Sequence, residues 1–154
     1  MWDFDSISYT GIFGGVGVML LASILHGLSL FFIATSRDNW KRLFSDNNPG
    51  EIDESAIWDA IEGELKQSFL DSPKLQYGTI AVGIAISIIG GLLTEWWSPG
   101  VSLVNAFVCA LLFMTLNIWW LFRNPDLPSK IVNVGGLVET LPMVIFGGWL
   151  ASLL

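Results

Sequence analysis

Residues 11–35 read GIFGGVGVMLLASILHGLSLFFIAT, an apolar run broken by a single titratable side chain, His26. It exceeds the roughly 20 residues a helix needs to cross a hydrocarbon core of about 30 Å. Three further stretches share this character: 77–97, 101–122 and 131–154. Within the spans the strongly polar titratable residues are His26 and Glu139, with Glu95, at the end of the second stretch, counted with the turn Glu95–Gly100. Almost every other ionisable group falls in the connections. The expected fold is all-α, a single polytopic membrane domain over 1–154 with four transmembrane helices.

Composition agrees. Of the 154 residues, 53% are hydrophobic and 14% charged, against roughly 25% charged in soluble chains. Mean hydropathy is +0.61. A net charge of −7 argues against nucleic acid as a partner, which requires a basic footprint. One Cys and one His exclude a disulfide scaffold, a Cys/His zinc site within one chain and haem held by two histidines. No metal and no cofactor are expected.

Orientation follows from the basic residues. Arg37, Lys41, Arg42, Lys66 and Lys74 lie between the first and second spans, and Arg123 and Lys130 between the third and fourth. These are all seven Lys and Arg of the chain. The positive-inside rule puts both connections in the cytoplasm and both termini on the non-cytoplasmic side. The start, Met1-Trp2-Asp3-Phe4-Asp5, has neither a basic n-region nor a small-residue cleavage site, so the first span is expected to be retained. Trp2, Tyr9, Trp96, Trp97 and Trp149 fall at the expected outer boundary, and Trp40, Tyr77, Trp119, Trp120 and Phe122 at the inner one. Amphipathic rings prefer headgroup depth, so these form interface belts.

The connection 36–76 has soluble character. Ile57, Ile61, Leu65 and Phe69 recur every four residues, with Asp53, Glu54, Asp59, Glu62 and Glu64 on the other face. Such spacing predicts an amphipathic helix over about 53–70, ended by Ser72-Pro73. Acids on its polar face are repelled by the anionic cytoplasmic leaflet. Its apolar face is therefore expected to dock on the protein's own helix ends or on a partner, unless the segment is a solvated linker. Glycine pairs at 14–15, 90–91, 135–136 and 147–148 mark expected helix–helix contacts, within the bundle or between copies of the chain, because packing drives association in lipid.

Two groups are candidates for chemistry. A charged residue at mid-membrane costs roughly 2.5–3.5 kcal/mol on the insertion scale, so each needs a reason. His26 and Glu139 both lie three residues to the cytoplasmic side of their span midpoints, near Ser23 and Pro142. That is about 4.5 Å in each case. Thr115 and Asn117 fall within a turn of the same level. Together the four are candidates for a proton or ion relay, with a structural His26–Glu139 hydrogen bond as the alternative. Pro142 frees a backbone carbonyl nearby. Glu95, in the turn Glu95-Trp96-Trp97-Ser98-Pro99-Gly100, is a candidate for a charged ring at the mouth of an oligomeric pore, or else a solvated charge. Cys109 reads as packing.

Three functions fit these features. One is a small membrane subunit or accessory protein of a larger membrane complex. The second is an oligomeric ion or proton channel or transporter using His26 and Glu139. The third is a small membrane enzyme acting on a lipophilic substrate; no catalytic residues are assigned. Four spans with outward termini resemble the glutathione-using eicosanoid membrane enzymes in topology. The Arg/Asn/Glu pattern of those enzymes is missing from the second span, so membership is not assigned. Expected partners are the lipid bilayer and either further copies of the chain or another membrane protein.

Overall fold

The computed structural model describes residues 7–34, 63, 67, 71–98, 103–123 and 130–154. Four helices account for nearly all of them: α1 (Tyr9–Ala34), α2 (Pro73–Trp96), α3 (Leu103–Arg123) and α4 (Lys130–Ala151). Three are long and apolar enough to cross a membrane, over Tyr9–Leu30, Pro73–Trp96 and Leu103–Arg123. The fourth carries a shorter apolar stretch, Gly135–Ala151. The expected four full-length spans thus become three spanning helices and one shorter apolar one.

Local chemistry sets the helix starts. Ser8 caps α1: its Oγ accepts from the Gly11 amide at 3.2 Å. Ser72 caps α2 from extended backbone (φ −117°, ψ 93°), accepting from the Leu75 amide, and Pro73 takes the first helical position. There a proline loses nothing, since its missing N–H would have had no partner. Ser72-Pro73, expected as a stop, is therefore also the start of the next helix, four residues before the predicted span. Pro142 lies inside α4, which continues through it.

Helices α2 and α4 make the most extensive contact, followed by α1 on α2, α3 on α4 and α1 on α3. Going around the bundle the order is α1, α2, α4, α3, which leaves α1 and α4 on a diagonal. Opposed positions give the directions. Gly11 and Gly15 of α1 meet Thr94 and Gly90 of α2, so that pair is antiparallel. Gly83 faces Glu139 while Gly91 faces Val144, so α2 and α4 run parallel.

The core lies at one end of this bundle. Ile12, Val16 and Met19 of α1, Ala106, Cys109, Ala110 and Phe113 of α3, and Val144 of α4 form one buried cluster. Glycines let the backbones close around it. A Cβ on Gly91 would strike the Val144 carbonyl, and one on Gly147 would strike the Ile88 carbonyl. With lipid as solvent, such close approach is the main source of helix attraction. By contrast, among the described residues Gly135 and Gly136 have open space where a Cβ would stand, so they make no such contact within this bundle. The packed end, holding Ser8, Thr94, Asn105 and Gly148, is called the closed end below.

Toward the open end the helices lose their neighbours. On α1, Leu20, Leu21, Ile24, Leu25, Leu28 and Phe32 are all exposed. Lys74, Arg123 and Lys130 stand at the α2, α3 and α4 termini of this end, so the described basic residues share one end of the molecule. Arg123 lies over the Trp119 ring, 4.7 Å from its centroid.

Candidate functional site

Between the two ends lies a cavity of about 240 Å³ to which all four helices contribute. Helix α1 supplies Ser23 and His26, α2 supplies Thr79, Gly83 and Ser87, α3 supplies Phe113 and Asn117, and α4 supplies Gly136, Glu139 and Thr140. Residues from the diagonal pair α1 and α4 thus reach the same space without their helices packing on each other.

His26, Glu139 and Asn117, expected at one depth, all line this cavity. The expected fourth member does not. Thr115 is exposed, with its hydroxyl donating to the Leu111 carbonyl at 2.8 Å. Among the described residues no hydrogen bond joins His26 to Glu139, and the buried Nε2 of His26 has no partner. Glu139 instead presents Oε1 to α2, 2.8 Å from where a Cβ on Gly83 would lie. The two groups share a cavity rather than a hydrogen bond.

Three other polar groups in the lining use their donors on their own helices. Thr79 Oγ1 donates to the Leu75 carbonyl at 2.9 Å, Thr140 Oγ1 to the Gly136 carbonyl at 2.6 Å, and Asn117 Nδ2 to the Phe113 carbonyl at 2.8 Å. A hydroxyl that has donated its proton offers only lone pairs.

No relay residue was expected from the second span, yet α2 supplies Thr79 and Ser87 to the cavity. A signal was present: Thr79, Gly83, Ser87 and Gly91 fall at four-residue spacing and form one small, partly polar stripe.

Glu95 is elsewhere and in a different state from either expectation. It is 4% exposed, and its Oε1 accepts from the Ala106 amide at 3.0 Å. Ala106 is among the first four residues of α3, whose amides have no partner within the helix. The carboxylate therefore caps α3 at the positive end of its dipole. Next to it Asn105, fully buried, accepts from the Ser8 amide through Oδ1 at 2.8 Å. These contacts tie α1, α2 and α3 together at the closed end, which is a structural use of the only carboxylate there among the described residues. Cys109 is also buried, against Gly15 and Thr94.

A second, larger and more apolar space of about 510 Å³ opens between the last halves of α1 and α3. Leu20, Ser23, Ile24 and Gly27 form one wall, and Leu116, Asn117, Trp119 and Trp120 the other. Ser23 and Asn117 belong to both spaces.

The docking face Ile57, Ile61, Leu65 and Phe69 lies outside the described residues. Within that segment Gly63 and Gln67 are described, both helical and exposed. Gln67 Nε2 donates to Asp71 Oδ2 at 2.8 Å, a contact between successive helical turns.

The class is that of helical membrane proteins, on the evidence of three spanning helices. Nothing narrower emerges from comparison: no family model matches the chain, and no curated protein or solved structure matches it either.

Proposed function

We propose that the protein is a small integral membrane subunit or accessory protein that holds a transmembrane helix of a larger membrane complex against its open end. In this reading the chain crosses the membrane four times, the shorter α4 included, with both termini on the non-cytoplasmic side. The supporting observation is the groove between α1 and α3. Its α1 wall carries Ser23 and Gly27, small residues one helical turn apart and both exposed. Small residues at that spacing let a second backbone approach closely, and Ser23 and Asn117 offer hydrogen-bonding groups at membrane depth. The facing wall is apolar and aromatic, which suits a helix side chain inserted between Leu116 and Trp120. The acidic 53–70 segment, with Ile57, Ile61, Leu65 and Phe69 as its apolar face, would add a cytoplasmic contact to the same partner.

A photo-crosslinking residue at Ile24 tests this in native membranes. A discrete protein adduct is expected, lost in Gly27→Leu. Adducts to lipid alone or to a second copy of the chain would reject the subunit reading. Orientation is tested by single cysteines at Asn48 and Leu154 in a Cys109→Ala background, where only Asn48→Cys should be labelled from the cytoplasmic side.

A second reading, ion or proton exchange, is supported by the convergence of His26 and Glu139 on one cavity. Among the described residues the closed end is packed, so in this reading transfer runs between copies or by a change of packing.

A further inference from the structure

We propose that the cavity among the four helices is a binding site for one monovalent cation, an alkali-metal or ammonium ion. This deepens the ion-exchange reading but does not depend on transport. The inference rests on the sense of the hydrogen-bonding groups. Thr79 and Thr140 have turned their hydroxyl protons onto the carbonyls of Leu75 and Gly136, and Asn117 one amide proton onto that of Phe113, which leaves two hydroxyl oxygens and one amide oxygen as acceptors in the lining. Glu139 adds a carboxylate, and the unpartnered Nε2 of His26 is a further acceptor whenever the ring proton sits on Nδ1. Among the described residues no Lys or Arg lines the cavity. A charge removed from water must be paired, and among the described residues an ionised Glu139 has no protein cation of fixed charge in this cavity.

An acceptor-rich wall bearing one formal negative charge selects a guest with one positive charge and donors or coordination sites to fill. About 240 Å³ is ample for such an ion together with several waters that complete its shell. Gly83 contributes by leaving room: a Cβ there would stand 2.8 Å from Glu139 Oε1, on the side of the carboxylate that a guest needs. The groove between α1 and α3 shares Ser23 and Asn117 with the cavity and provides the adjoining space.

Equilibrium dialysis of the purified full-length chain in lipid nanodiscs against radioactive sodium, with ammonium and choline as competitors, is the test. One saturable ion per chain is expected. Displacement by ammonium but not by the bulkier choline is expected whichever of the two small ions binds more tightly, and their relative affinities identify the natural occupant. Glu139→Gln should weaken binding about 10- to 100-fold, the loss that goes with a hydrogen-bonding charged group. Thr79→Val keeps the side-chain volume and removes one oxygen. It should weaken binding severalfold at an unchanged melting temperature, and it decides the matter if Glu139→Gln does not fold. Absence of saturable binding in the wild type, or wild-type affinity in the folded variants, overturns the site. Binding that persists while vesicles made with the protein show no ion flux would reject exchange and leave the site intact.

Discussion

The closed and open ends of this bundle are built from the same alphabet of small and apolar residues, yet they solve opposite problems. At the closed end glycines bring backbones together: Gly91 lies against Val144 and Gly147 against Ile88. The polar groups there are consumed, with Glu95 on the Ala106 amide and Asn105 on the Ser8 amide. At the open end Gly135, Gly136 and Gly27 face free space, and the cavity oxygens have lone pairs to spare. A glycine in a membrane helix is thus not a contact by composition. It becomes one only where a second backbone arrives at the same level.

The largest expected effect tests that difference directly. Gly91→Leu or Gly147→Leu drives a side chain into a neighbouring main chain, beyond the roughly 1–3 kcal/mol typical of overpacking. Either variant should fail to give a monodisperse folded species, whereas Gly135→Leu should unfold thermally like the wild type. Equal damage from all three would erase the distinction between the ends. Next in size is Glu95→Ala, which leaves the Ala106 amide buried without its acceptor. A loss of about 1.5–3 kcal/mol is expected for a hydrogen bond to a charged group, read as a lowered melting temperature. Glu139→Ala, at the open end, should cost clearly less, and a larger loss there would mean that the cavity carboxylate is structural.

Much of the architecture was legible in advance because it rests on composition. Apolar runs of membrane length gave the helices to within a few residues, and Ser72-Pro73 marked a helix boundary. Counting residues to span midpoints, a one-dimensional property, anticipated that His26, Glu139 and Asn117 line one cavity. Facing direction is two-dimensional and was harder. Thr115 is exposed on α3, and Glu95, expected in a turn, lies in the last turn of α2 and points inward, because each depends on how the neighbouring helix is rotated. Nothing in a single helix reports that rotation. The stripe Thr79-Gly83-Ser87-Gly91 comes nearest, since its spacing marks the side of α2 on which neighbours and cavity must lie.

A smaller effect is expected at the groove. Gly27→Leu fills open space, so thermal stability should change by no more than about 0.5 kcal/mol, as for surface substitutions generally. Any loss of crosslinking then reports on the partner rather than the fold. The smallest belongs to Arg123→Gln, which removes the cation over Trp119. At an exposed site that contact is worth about 0.5–1 kcal/mol, and a melting shift larger than that of Glu95→Ala would contradict the ranking.

The tightest crossing in the molecule joins the second helix to the last, and this orders its synthesis. As the chain is made, α1, α2 and α3 are complete before the partner of Gly91 exists. Until Gly147 and Gly148 have emerged, α2 has nothing to lay its glycine stripe against, and Glu95 lacks the cover that Gly148 provides on one side. A nascent chain stopped before residue 144 therefore holds three membrane helices with an unfilled seam down the middle of the second. Arrival of α4 beside α2, rather than insertion of any earlier helix, is the event that lets the bundle close.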